Sequence, residues 1–284
     1  FEDKNGKKQV VDGRQRISAI LDFLEGKFKL NNLRILKQFN GCCFADLDLK
    51  QQGVIEDFQL LFYIIQPPTP ERVKYDIFDR VNRGGTPLNK QEMRNALYRG
   101  RCTRMLDKLC CSPEFLIATG RSINKERMKD QYVVLRAMAF LMLHRGEFKD
   151  IPALQYRGDI DDFLARFMVY VNDNAPEKLI VDYENLFIRC MQISYDLLGE
   201  NGFRFSGNGI RRPINMPLFE ALSYLFSFVP EKIDYTWASR LILDIESVKE
   251  EFDDSRYFSG NIDSTTSVSF RFDRMDKIIN RIQL

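Results

Sequence analysis

The chain has 284 residues, enough for about two domains at roughly 150 residues each and enough to bury a core without disulfide or metal staples. Hydrophobic residues make up 44% and charged residues 29%, which excludes wholesale disorder, a collagen-like chain and a coiled-coil rod. The 42 Lys and Arg nearly cancel the 40 Asp and Glu, so binding of nucleic acid by bulk charge is excluded and any such binding needs a local patch.

Histidine narrows the chemistry further. His144 is the only one, so no site within this chain uses two histidines. That removes an HNH nuclease, an H-E-x-x-H zinc protease and a two-histidine phosphodiesterase. The six cysteines include two adjacent pairs, Cys42-Cys43 and Cys110-Cys111, and no C-x-x-C. With no signal peptide ahead of them, they are expected to be reduced thiols of a cytoplasmic protein. The longest apolar run, residues 133–143, is too short for a bilayer and contains Arg136, so no membrane segment is expected.

In chain order, FEDKNGKKQVVDG reads as a strand end, a turn at Asn5-Gly6 and a strand from Lys8 to Val11. A sheet edge at residue 1 carries the expectation that preceding strands lie outside this chain. From Gly13 the period becomes helical, with Ile17, Ile20, Leu21 and Leu24 on one face and Gly26 as the stop. Segments within 28–36 read as short strands and 41–52 as a loop. FQLLFYIIQ (58–66) is a continuous apolar and β-branched run that reads as a buried strand, stopped by Pro67-Pro68. Residues 71–81 read as helix and 80–89 as loop. Asn89 with Glu92 forms a capping box for a helix over 90–99. Beyond it, helices are expected over 102–111, 124–145, 159–172, 177–199, 214–228, 236–252 and 271–283. The expected class is α+β and helix-dominated, with a small mixed-sheet unit at 1–100 and an all-helical domain at 101–284.

Three segments carry candidate chemistry. In VVDGRQRISAI (10–20) a strand leads through Asp12 and Gly13 directly into a helix. The free amides of that first turn and the helix dipole favour an anion, and Gly13 admits it close to the backbone. Arg14 and Arg16 add donors suited to phosphate, Gln15 can donate or accept, and Asp12 could hold Mg²⁺ or orient a water. Spacing alone favours a plain junction with Asp12 as N-cap and both arginines in solvent. In FDRVNRGGTPLN (78–89), Asn82, Arg83 and Gly84 could form a second anion-binding nest; spacing alone favours a glycine-closed turn between helices. In GIRRPINMPLFEAL (209–222), Arg211 and Arg212 precede a helix within a glycine-rich loop, and are candidates for phosphate contacts to nucleotide or DNA. No P-loop occurs. His144 ends an apolar helix, where a core or dipole role outweighs catalysis. The acidic pairs Asp161-Asp162, Glu250-Glu251 and Asp253-Asp254 read as solvated faces.

VVDGRQRISAILDFL resembles the D-G-Q-Q-R signature of the GmrSD restriction endonuclease N-terminal domain. Asp12, Gly13, Gln15 and Arg16 match it, and Arg14 stands where the family has its first Gln. Residues 40–66, 77–97, RRPINMPLFEAL (211–222) and SGNIDSTTSV (259–268) also look like that family, in order along the chain. The resemblance implies a ParB/sulfiredoxin-like fold, whose G-x-x-R-x-x-A segment is echoed by Gly13, Arg16 and Ala19. It further implies a bacterial defence protein acting against foreign or modified DNA, an NTP with Mg²⁺ at the Asp12–Arg16 turn closed by Asn82 and Arg83, and an HNH nuclease domain or subunit that is separate from this chain. The leading expectation is therefore a nucleotide-binding, NTP-hydrolysing regulatory module, with Asp12, Gln15 and Arg16 in the catalytic roles. The rival is a non-catalytic module that grips DNA or docks a partner.

Overall fold

A computed structural model describes the chain apart from residues 1, 3–5, 7, 9, 11–12, 67–68, 70–72, 74–76, 78–79, 81–87, 207–210, 233 and 283–284. It divides into two units, Phe1–Pro87 and Leu88–Leu284. Among the described residues no strand forms in either unit.

That absence corrects the α+β assignment and the ParB/sulfiredoxin-like mixed sheet with it: the described chain is all-helical. The pairing near the start is a single antiparallel bridge between Glu2 and Lys8, around Gly6 at φ +74°. Residues 28–36 are irregular apart from turns, and so are 58–66. The run expected to be a buried strand is exposed: Phe58 keeps 70%, Leu61 80% and Tyr63 87% of its surface. β-Propensity measures fit to a paired, half-buried surface, and a run without a neighbouring strand has nothing to fit. Here the Ile65 carbonyl accepts one backbone bond, from Glu2 N at 2.9 Å, and no ladder follows among the described residues.

In the first unit, α1 (Arg14–Leu24) starts at Gly13, which adopts φ +86° and contributes no side-chain cap. The helix stops at Gly26 (φ +72°), where Lys27 N reaches back to Asp22 O at 2.8 Å, a Schellman-type closure. Its buried residue is Phe23, packed on Phe28 and Phe44 at ring distances of 5.5 and 6.0 Å. The expected face is largely open, with Ile20 and Leu21 exposed. Helix α2 (Leu49–Glu56) begins within the segment read as a loop, 41–52, and runs beyond it. It opens with a reciprocal box in which Gln51 N donates to Asp48 Oδ1 and Asp48 N to Gln51 Oε1. Of the helix expected over 71–81, the described residues Val73, Ile77 and Arg80 are helical.

The second unit holds α3 (Lys90–Leu97), α4 (Arg101–Cys110), α5 (Pro113–Ala118), α6 (Lys129–His144), α7 (Ile160–Asp173), α8 (Glu177–Leu198), α9 (Met216–Phe226), α10 (Tyr235–Asp253) and α11 (Thr265–Ile282). The capping box of Asn89 and Glu92 is present as read from the sequence. Helices α6 and α9 are apolar nearly all round, so they occupy the centre. Helix α9 packs on α6, α8 and α11, while α4 and α7 also pack on α6. Phe115, Phe187, Phe203 and Phe219 interlock at one end of α9, with ring distances of 4.3–6.3 Å. Burial of each such ring contributes about 1.5–3 kcal/mol.

A polar quartet fixes the register of this core. Glu220 on α9 is fully buried and accepts from Arg136 Nε on α6 and from Arg271 Nη2 on α11, the latter at 2.7 Å. Asp263 completes it, with Arg136 Nη2 at 2.6 Å. Two carboxylates thus balance two buried guanidinia, as burial of charge requires. His144 packs beside it, stacked on Phe272 with ring centroids 3.6 Å apart. Asp161 departs from the expected solvated face: it is partly buried at the start of α7 and accepts from Arg94 at 2.8 Å and from Lys90.

Candidate functional site

Two places bear on the residues singled out from sequence, and they lie in different units. In the first unit, Gly13 brings the chain into α1 in a left-handed conformation that suits glycine. Ile17 N closes the first turn on Gly13 O at 2.8 Å. Arg14, Gln15 and Arg16 are exposed. The Arg16 guanidinium folds back over Gly13, where a Cβ would lie 3.5 Å from its Nη2. The first turn carries no acidic side chain. Arginine donors therefore flank this turn, which fits a phosphate and offers Mg²⁺ no carboxylate among the described residues. Asp12, the residue read as the metal ligand, and Asn82, Arg83 and Gly84, read as the closing side, lie outside the described residues. Among the described residues no cluster of three or more His, Cys, Asp or Glu could hold a metal.

The second place is in the second unit, around Arg211 and Arg212. Both line a cavity of about 630 Å³ together with Arg204, Lys249, Glu200 and Glu246. Arg211 Nη2 meets Glu200 Oε2 at 2.8 Å, and its guanidinium lies against Gly120, where any Cβ would collide with it. Gly120 also has φ +58°, a backbone conformation that favours glycine there. Arg212 Nη1 pairs with Asp253, and its guanidinium lies 5.4 Å from the Phe205 ring centroid. These two pairs are half-exposed, a setting in which an ion pair is worth only about 0–1 kcal/mol.

Arg204 differs from both. It is 4% exposed, and its guanidinium donates to four neutral oxygens: Glu200 O, Arg212 O, Thr119 O and Ser122 Oγ. Among the described residues no carboxylate forms an ion pair with it. Burial pulls its pKa below the ordinary arginine value, with the like charge of Arg211 adding to the effect. Lys249, 5% exposed, pairs with Glu246 at 2.8 Å. Among the described residues four cations and three carboxylates thus stand around this cavity, and the most buried guanidinium, that of Arg204, forms no ion pair.

Sequence reading placed Arg211 and Arg212 here and missed Arg204, Glu200, Asp253 and Lys249. Two signals were present. Arg204 stands between Phe203 and Phe205, both buried, so the loop that carries it is anchored inward. Lys249 continues the buried face of α10 formed by Leu241, Ile245 and Phe252, at spacings that put a charge inside.

A family model described as GmrSD restriction endonuclease, N-terminal domain, matches residues 1–99. The similarity spans the first unit and reaches through α3. No curated protein matches the chain, and no solved structure does. Among the described residues no helix is long and apolar enough to cross a membrane.

Proposed function

We propose that this chain is a non-catalytic binding module of a restriction-type defence system, and that it grips the phosphates of DNA through Arg211 and Arg212. The match of residues 1–99 to a restriction-endonuclease domain supports the setting. The observation that carries the binding role is the cation-lined cavity of the second unit, where arginines present planar forks suited to phosphate oxygens. In this reading DNA cleavage belongs to a separate HNH nuclease domain or subunit, as the family resemblance implies; this chain, with His144 as its only histidine, cannot form an HNH site itself. Fluorescence anisotropy with a labelled duplex tests the reading. Affinity should fall steeply between 50 and 200 mM salt, with a slope that drops by about one when Arg211 or Arg212 becomes alanine. Salt-independent binding, or slopes unchanged in both variants, would remove the assignment.

A second reading has its own observation. Gly13 in the left-handed region, the exposed first turn of α1 and Arg16 folded over it favour a nucleotide phosphate at that turn. In this reading an NTP, with Mg²⁺ when bound supplying charge neutralisation, would be held by Gly13, Arg14 and Arg16, with Gln15 beside the phosphate. Thermal shift with each NTP, with and without Mg²⁺, on wild type and Arg16→Ala decides it. Stabilisation lost in the variant supports a nucleotide-responsive module, and the absence of any shift leaves the DNA-binding reading alone.

A further inference from the structure

We infer that the Arg204 cavity is a phosphoryl-oxyanion pocket whose two outer arginines are held in readiness by exchangeable internal carboxylates, Glu200 on Arg211 and Asp253 on Arg212. This deepens the reading of Arg211 and Arg212 as phosphate-binding residues and rests on it.

Three observations lead there. The first is size: about 630 Å³ lies within the range of pockets that take small molecules, and far exceeds a trapped water. The second is the charge of its most buried cation. Arg204 is more than nine-tenths buried, is fixed by three carbonyls and one hydroxyl, and forms no ion pair among the described residues; the Glu200 carboxylate that acts on it from a distance is already paired with Arg211. A buried cation without a counter-ion is costly, and an anion entering the cavity would relieve that cost.

The third is the contrast in how the outer arginines are held. Arg211 and Arg212 keep 44% and 41% of their side-chain surface. Their partners Glu200 and Asp253 keep 52% and 33%. Such pairs are weak and can open, whereas the buried pairs of Arg136 and Arg271 cannot. The Arg211 guanidinium nevertheless lies against Gly120, and that of Arg212 lies 5.4 Å from the Phe205 ring centroid. Each outer arginine is thus positioned, half-desolvated and neutralised by a group that a phosphate oxygen can replace with the same geometry. Because Arg204 bonds the carbonyls of both Glu200 and Arg212, it ties together the segments that carry the two exchangeable pairs.

The carboxylates then compete with the ligand, and removing one should tighten binding. Isothermal titration with inorganic phosphate, and anisotropy with a labelled duplex, would be run on wild type, Glu200→Gln, Asp253→Asn, Arg211→Ala and Arg212→Ala. Asp182→Asn, an exposed carboxylate on α8 paired with Lys178, controls for net charge. Circular dichroism checks that each variant is folded. Glu200→Gln and Asp253→Asn should bind about twofold to fivefold more tightly, the worth of an exposed ion pair given up on binding. Arg211→Ala and Arg212→Ala should weaken binding about tenfold, and Asp182→Asn should leave it unchanged.

The source of the phosphoryl group is read from competition. Displacement of the duplex by inorganic phosphate or a mononucleotide assigns the pocket to an isolated phosphate. Tighter duplex binding in Glu200→Gln without such displacement assigns it to the DNA backbone. If the arginine variants lose affinity while the carboxylate variants gain none beyond Asp182→Asn, the exchange inference is overturned and the DNA-binding reading stands. If the arginine variants bind as wild type does, both fall.

Discussion

His144 provides the sharpest test of the second unit, because a chain with one histidine has one group that ordinarily titrates near pH 6.5. Its imidazole is stacked on Phe272, edge-on to Tyr224, and its Nε2 is buried with no hydrogen-bond partner among the described residues. Burial, and secondarily the charge of Arg271, push its pKa down to about 3. The unfolded chain takes up this proton below about pH 6.5 and the folded chain does not until about pH 3, so stability is complete above pH 6.5 and is lost as the pH falls toward 3. Lowering the pH from 7 to 5 should therefore cost about 2 kcal/mol through this one group, or roughly 4–8 °C of Tm for a unit of this size. His144→Phe keeps a ring in the slot and removes the proton site. Urea denaturation of wild type and variant at both pH values isolates the term, because the carboxylates cancel in the difference. Wild type should lose about 2 kcal/mol more than His144→Phe over that interval, with unchanged m-values. An imidazole that titrates near 6.5 by NMR in the folded protein, or equal losses in the two proteins, would refute the reasoning.

Other consequences can be measured directly. Glu220→Gln leaves Arg136 and Arg271 buried with Asp263 as their remaining carboxylate and should cost about 3–5 kcal/mol in urea unfolding; a cost below about 1 kcal/mol would mean water reaches the quartet. Asn89→Ala removes the α3 cap and the bond from Asn89 Nδ2 to Arg127 O, with an expected loss of about 1–2 kcal/mol of stability by the same assay. A thiol reagent should label exposed Cys111 first in native protein, while Cys102, Cys110 and Cys190 react after denaturation only, since burial hides them and pushes their thiols up, Cys190 to about 12. The Asp161 carboxyl must overcome burial, yet hydrogen bonds from Lys90 and Arg94 hold its pKa below the usual range. Its contribution is present above about pH 4 and is lost as the pH falls further, so Asp161→Asn should flatten the acid limb of the stability profile below pH 4.

Legibility from sequence followed the range of the interactions involved. Helices of the second unit were readable because a 3.6-residue apolar period is written within each segment: Glu177–Leu198 and Tyr235–Asp253 fall where Ile180, Phe187, Met191 and Leu241, Ile245, Phe252 place them. The box of Asn89 and Glu92 is equally local. Helix α11 begins at Thr265, six residues ahead of the reading, because its start rests on the polar residues Ser264 and Ser267. Strands depend on a partner elsewhere in the chain, so FQLLFYIIQ carried the composition of a strand without the pairing that makes one. The site shows the same division. Arg211 and Arg212 stood out as a basic pair in a loop, but Glu200, Asp253 and Lys249 join them through tertiary packing alone. Arg204 is marked out only by the carbonyls and the hydroxyl that tertiary packing places around it.

The buried quartet constrains how this sequence can drift. Replacing Glu220, Arg136, Arg271 or Asp263 alone strands charge inside the protein, so each single step lies downhill in fitness even where the fully replaced, apolar set would fold well. Relatives sharing this helical core should carry the four residues as a block or lack them as a block. An intermediate holding two or three of them should occur only where a further substitution nearby restores the balance of charge.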